Sequence, residues 1–206
     1  MKINIKKILP IIVLIIISTT LLFGQKNFEN KNFGFSIQEP KDWIVAANKE
    51  LIKNFEKLDF TDENLVKIFQ NEKQFIFLTA FIKYDVNEHA GLIPKIQVSV
   101  LPQNTKDFQQ FKVAITKTAN NLKNFIEGYE LIQEPKEIEI SGIKSVYFLG
   151  KLTVKTQKGM ELKSRNRILA IPYKNYFFQI SFVDEEIGEN SSELFDALVK
   201  TIKIGK

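Results

Sequence analysis

The stretch that decides the fold is residues 160–183, MELKSRNRILAIPYKNYFFQISFV. It contains two strand-like runs, 160–172 and 175–183, joined by the short connection Tyr173-Lys174. Two such runs separated by a few turn residues predict an antiparallel hairpin. Adjacent residues on both faces of the first run are apolar: Ile168, Leu169, Ala170 and Ile171. Because both faces must be covered in the fold, we predict helices on each side of the sheet.

Two more strands precede this hairpin, over 129–140 and 143–155, and turn residues separate all four strands. Shorter strands are predicted earlier in the chain, over 33–39, 43–45, 75–83 and 95–101. Helices are predicted from apolar residues at three- and four-residue spacing, over 51–58, 61–69, 105–124 and 191–202. Hairpin-linked strands with separate helices predict an α+β fold, an α/β/α sandwich on a mainly antiparallel sheet.

Two of these helices have well-defined apolar stripes. In the longest helix the predicted buried residues are Phe108, Phe111, Ile115, Ala119 and Leu122, and Gly128 is placed to end the segment. The last helix begins near Ser191 or Ser192 and is expected to bury Leu194, Leu198 and Ile202. Each stripe predicts a helix that packs one side against the sheet.

The N-terminus has the pattern of a secretory signal peptide. Lys2, Lys6 and Lys7 precede an apolar run over 8–23, and Gly24-Gln25 offers a cleavage site. We therefore predict a signal peptide over 1–24, and a single domain over 25–206 that is periplasmic or secreted, with no stable membrane span after cleavage. Retention of the uncut segment as an inner-membrane anchor is the alternative.

Composition excludes several functional classes. The formal net charge of +5 comes from 29 basic and 24 acidic residues, and removal of the three lysines in 1–24 reduces it to +2. The predicted domain is thus nearly neutral, so nucleic acid is not an expected partner. The absence of cysteine excludes disulfides, thiolate metal sites, a cysteine nucleophile and lipoprotein anchoring. No cofactor and no metal site are predicted.

Residues 32–43, NFGFSIQEPKDW, resemble the opening segment of PsbP-like domains, and the order of later elements over 27–204 is similar too. This superfamily includes the extrinsic photosystem II protein P and many exported bacterial proteins. The resemblance implies an antiparallel sheet between helices and a binding or assembly role without catalysis. The resemblance identifies no ligand-binding residue in this sequence. Many bacterial relatives are lipoproteins, and this chain departs from them because it has no lipobox cysteine. From the residues themselves, we expect Pro40 to end the first strand and Trp43 to cover the edge of the core.

Catalytic patterns are sparse. His89 is the single histidine, lies in a predicted loop and has no Gly-x-Ser-x-Gly motif to accompany it. We interpret it as a solvent-exposed loop residue, with an exported hydrolase that uses His89 as the alternative. The acids over 184–189 follow a strand end, and we interpret them as a solvated turn, with a weak cation site as the alternative. No catalytic residues are predicted.

Charge is organised at one place, where Lys163, Arg165 and Arg167 alternate on one face of a strand. A three-residue loop over 157–159 sets a register that pairs Lys151 with Arg165, and Lys155 with Glu161. The resulting stripe has one acid, Glu161, and five cations: Lys151, Lys155, Lys163, Arg165 and Arg167. We predict that it binds an anion or an acidic partner. The alternative is a solvated end of the sheet.

Together these observations predict an exported, non-enzymatic binding or accessory domain of the cell envelope. Its partner is expected to be an envelope protein or an anionic surface, which the sequence does not identify. A membrane-tethered adaptor with an uncleaved N-terminal helix, and the hydrolase that uses His89, are the two alternatives.

Overall fold

The structure is a computed structural model, and it describes residues 26–46, 76–89, 91–103, 105, 107–155 and 161–205. The predicted signal peptide, the predicted helices over 51–58 and 61–69, and the loop over 157–159 lie outside these residues.

The described elements are, in chain order, β1 (Asn27–Asn30), β2 (Phe35–Gln38), β3 (Ile44–Ala46), β4 (Ile76–Ile82), β5 (Lys95–Pro102), α1 (Phe108–Phe125), β6 (Tyr129–Ile140), β7 (Ile143–Lys155), β8 (Glu161–Tyr173), β9 (Tyr176–Glu185), α2 (Ser192–Val199) and β10 (Lys203–Ile204). The four long strands agree with the predicted ones to within two residues.

The main sheet has seven antiparallel strands in the order β3-β4-β5-β9-β8-β7-β6. A second, smaller sheet has the order β1-β2-β10. The sequence did not predict β1 or β10. It also predicted a strand from residue 33, where the structure has a turn: Gly34 has φ of +62°, and its amide donates to the carbonyl of Lys31 at 3.3 Å. A positive φ of this kind favours glycine and interrupts a strand.

One face of the main sheet packs against α1. Phe111 and Ala119 of this helix are buried against β7 and β8, where Val146, Phe148 and Ile168 form the opposing surface. Phe108, Ile115 and Leu122 complete the predicted stripe as partly buried residues. The side chain of Asp107 caps the helix by accepting a hydrogen bond from the amide of Gln110 at 2.8 Å, so α1 starts three residues later than predicted.

The other face carries the larger core, and both α2 and the small sheet cover it. Phe35 and Ile37 of β2 belong to the same buried cluster as Phe195 and Leu198 of α2 and Leu169 of β8. Trp43 packs at the margin of this cluster, with its ring 6.3 Å from that of Phe195. The α+β sandwich is confirmed, with a three-stranded sheet as a further covering element. In α2 the buried residues are Phe195 and Leu198, whereas Leu194 is only partly buried.

Candidate functional site

The predicted register of the β7–β8 hairpin is confirmed. Lys151 lies opposite Arg165, Thr153 opposite Lys163, and Lys155 opposite Glu161. Because directly opposed residues share a face, the five predicted cations lie on one face of two neighbouring strands. That face is the one covered by α2.

Asp184 is the centre of this part of the sheet and is completely buried. Arg165 binds it with two donors, Nε at 3.1 Å and Nη2 at 2.9 Å, and Arg167 adds Nη1 at 2.9 Å. The backbone amide of Ser191 supplies a fourth hydrogen bond at 2.9 Å. The carboxylate is therefore fully satisfied, as a buried charge must be. For Asp184, the interpretation as part of a solvated turn was wrong, because β9 extends to Glu185 and places this carboxylate opposite Arg165.

The same network fixes the start of α2. Besides the Ser191 amide on Asp184, the hydroxyl of Ser192 accepts a hydrogen bond from Nη2 of Arg167. The guanidinium of Arg167 also lies over the ring of Phe195, 5.3 Å from its centroid. Arg167 is only 8% exposed, so its position is set by partners on three sides.

Lys151 is held by acids from the strands and the loop beside it. Its ammonium lies 3.2 Å from Glu130 of β6 and 3.5 Å from Glu186, which follows β9. The hydrogen bond to Glu130 raises the pKa of Lys151, and the charges of both glutamates add to this shift. The acidic partners of Lys151 thus come from outside the hairpin, from strand β6 and from the loop that follows β9.

Lys155 and Lys163 differ from the other three cations. Both are exposed, and within the described residues neither forms an ion pair with a carboxylate. They lie towards the end of the hairpin, next to the exposed Glu161. The structure thus separates the predicted stripe into three paired cations and two exposed ones.

His89 is not the solvent-exposed loop residue that we expected. It is partly buried, and its ring stacks on that of Tyr84, with centroids 4.5 Å apart and an angle of 15° between the planes. The Tyr84 hydroxyl donates to Glu189 at 2.6 Å, and Lys83 pairs with the same carboxylate. These contacts join the loop after β4 to the loop after β9. Among the described residues, no group of three or more His, Asp or Glu side chains could hold a metal ion.

No protein-family model and no curated protein matches the sequence. Solved structures do match. Cyanobacterial PsbP (CyanoP) from Synechocystis sp. PCC 6803 has a TM-score of 0.52 and 12% identity, covering 88% of this chain and 92% of that one. LpqN of Mycobacterium tuberculosis, described as involved in cell envelope biogenesis, has a TM-score of 0.48 and 11% identity, over 89% and 91%.

A protein from Bacteroides thetaiotaomicron VPI-5482 matches with a TM-score of 0.45 and 14% identity, over 88% of this chain. The match covers only 48% of that protein, so this chain spans about half its length. The similarity to CyanoP confirms the PsbP-like fold that the opening segment predicted. No helix within the described ranges combines the length and the apolar character needed to cross a membrane.

Proposed function

We propose that this chain is an exported, non-enzymatic binding or accessory protein that contacts an acidic envelope protein through the β7–β8 hairpin. The observation that carries this proposal is the division of the predicted stripe. Lys155 and Lys163 are exposed near the hairpin end and form no ion pair with a described carboxylate, while the other three cations are paired.

The paired cations supply the scaffold for the exposed ones. Arg165 and Arg167 are both bound to the buried Asp184, so the base of the hairpin is fixed on the main sheet. Exposed charges on a fixed support can steer an oppositely charged partner and suppress like-charged ones. Lys155 and Lys163 would therefore supply the attraction, whereas Arg165 and Arg167 would hold the strands that present them.

Two further features support the proposal. The N-terminal pattern of lysines followed by an apolar run over 8–23 is that of an export signal. The PsbP-like fold agrees with the binding or assembly role that the resemblance implies.

The experiment reverses the exposed charges while leaving the buried network intact. Lys155→Glu with Lys163→Glu is expected to weaken capture of the partner from an envelope fraction by at least about tenfold, because two attractive contacts become repulsive. Lys117→Glu with Lys123→Glu, two exposed lysines of α1, makes the same change in net charge elsewhere and should leave capture unchanged. Raised salt should weaken capture by the unmodified chain.

Equal capture by the hairpin and helix variants would contradict the proposed surface. If anionic vesicles capture the chain and no protein partner is recovered from the envelope fraction, the partner is a membrane surface instead of a protein. Protein purified from its host also reports on export, because loss of residues 1–24 changes the intact mass. A full-length mass in the membrane fraction would favour the tethered adaptor instead.

A further inference from the structure

A cavity of about 240 Å³ lies between α2 and the strands β6, β7, β8 and β9. Half of its lining residues are apolar: Ile138, Leu169, Phe182, Phe195 and Val199. Its volume is below the roughly 300 Å³ at which pockets for drug-sized ligands begin. The cavity therefore suits a compact molecule or the end of a larger one.

Irregular pairing of β6 shapes one wall. Gln133 lies opposite Leu149 and Lys136 opposite Tyr147, so three steps along β6 match two along β7. The extra residue is a bulge, of the kind that redirects side chains beside functional sites. It places the Lys136 ammonium over the ring of Tyr147, 5.3 Å from the centroid.

The buried network leaves one positive charge at this cavity. Arg165 and Arg167 together carry two positive charges, and Asp184 balances one of them. Arg165 donates two hydrogen bonds to the carboxylate, whereas Arg167 donates one to it and another to the neutral hydroxyl of Ser192. The unbalanced charge is consequently weighted towards Arg167, which lines the cavity.

The remaining polar lining favours a single negative charge. Burial raises the pKa of Tyr147, which disfavours loss of the proton that its hydroxyl can donate. The charge of Arg167 opposes this shift, while those of Asp196 and Asp184 add to it, so charged groups of both signs converge on this hydroxyl. With Lys136 and Arg167 against Asp196, the lining has a net charge of about +1.

We infer that this cavity binds a monocarboxylate with a compact apolar body. The carboxylate would accept from Lys136, Arg167 and the Tyr147 hydroxyl, because hydrogen bonds between charged donors and a carboxylate are stronger than neutral ones. The apolar body would lie against Ile138 and Val199, the two partly exposed apolar residues of the lining. A dianion such as phosphate fits less well, since its second charge meets Asp196. This inference does not depend on the hairpin surface proposed above.

The carboxylate has two possible sources, a free acid or the C-terminus of a peptide with an apolar last residue. Titration calorimetry on the purified protein would compare hexanoate with hexanamide. It would also compare an N-acetylated tripeptide that ends in phenylalanine with the same tripeptide carrying a C-terminal amide. In each pair the acid is expected to bind about tenfold more tightly than the amide. Whichever of the two acids binds more tightly, hexanoate or the tripeptide, identifies the source of the carboxylate.

Variants assign the binding to this cavity. Lys136→Glu should weaken acid binding by about tenfold, and it is at an exposed position, so the fold should persist. Asp196→Asn should strengthen binding several-fold because it removes a repulsive carboxylate. Val199→Phe should abolish binding by filling the cavity. Lys123→Glu on α1 is the matched charge control and should change nothing, as should the hairpin variant Lys155→Glu with Lys163→Glu.

Equal affinity for acid and amide would overturn the inference, as would unchanged affinity in Lys136→Glu. The absence of saturable binding for both acids at millimolar concentration would overturn it too. If the hairpin variant loses partner capture but keeps acid binding, the two surfaces act independently.

Discussion

The two ends of the β8–β9 ladder are held by different forces, although they share strands and a sheet face. At one end Leu169 lies opposite Ile180 and Ile171 opposite Phe178, and all four are buried in the large core. At the other end Arg165 lies opposite Asp184, whose carboxylate takes four hydrogen bonds. The first end depends on apolar area and volume, the second on the geometry of donors and acceptors.

The two ends therefore contribute differently to the fold. Apolar burial stabilises in proportion to the area removed from water and is not directional. A buried ion pair stabilises less than its Coulomb energy suggests, because both charges lose their hydration. Since Asp184 and Arg167 bind Ser191 and Ser192, we expect the polar end to specify where α2 begins as well as to hold the strands.

The largest effect is expected at the polar end. Asp184→Ala should lower the free energy of unfolding by about 3–5 kcal/mol, because it leaves two arginines without their buried counter-charge. Glu130→Ala removes an exposed partner of Lys151 and should cost less than about 1 kcal/mol. Urea unfolding of both variants measures the contrast. A loss of less than about 1 kcal/mol in Asp184→Ala would mean that water replaces the carboxylate and that the network is not truly buried.

At the apolar end of the sheet, on its other face, Phe111→Ala should cost about 3 kcal/mol through lost burial and the cavity that remains. Val113 lies on the same helix but is 66% exposed, so Val113→Ala should change stability by less than about 0.5 kcal/mol. Urea unfolding at low and high salt separates the two ends further, because the Phe111 effect should not depend on ion pairs. Equal costs for the two variants would show that α1 does not pack as described.

Counting residues from a hairpin loop predicts register well, and the β7–β8 pairs confirm it. The β8–β9 hairpin turns at Lys174-Asn175, one residue later than predicted, and this turn sets Arg165 opposite Asp184. The predicted connection would have set Arg165 opposite Phe182 instead. The prediction missed the pair because of this shift, and because it ended β9 before Asp184.

Other features were beyond local patterns. β1 and β10 have four and two residues, too few for a periodic signal, and they pair with β2 only because the fold brings them there. The bulges of β6 around Pro135 and the cavity beside Arg167 depend on tertiary contacts. Sequence reasoning therefore predicted the sheet and the cations, but not their acidic partners or the cavity.

The smallest effect tests a polar group that contrasts with Asp184. The hydroxyl of Tyr129 is buried on the α1 face of the same polar end, and no described group makes a hydrogen bond with it. Tyr129→Phe should therefore raise the free energy of unfolding by about 1 kcal/mol at neutral pH. Tyr176→Phe is the matched control with the opposite expected sign, because the Tyr176 hydroxyl donates to the carbonyl of Phe33 at 3.2 Å.

The pH dependence of the free energy of unfolding tests the same hydroxyl in a second way. Burial raises the pKa of Tyr129 to about 12 from its ordinary 10.0. Between these two values the unfolded chain releases this proton while the folded chain keeps it, so stability falls as the pH rises through that range. Tyr129→Phe should lack this part of the alkaline loss, and urea unfolding at about pH 8 and pH 11 measures it. If the variant is less stable than the unmodified chain at neutral pH, the Tyr129 hydroxyl has a hydrogen-bond partner, and the contrast with Asp184 does not hold.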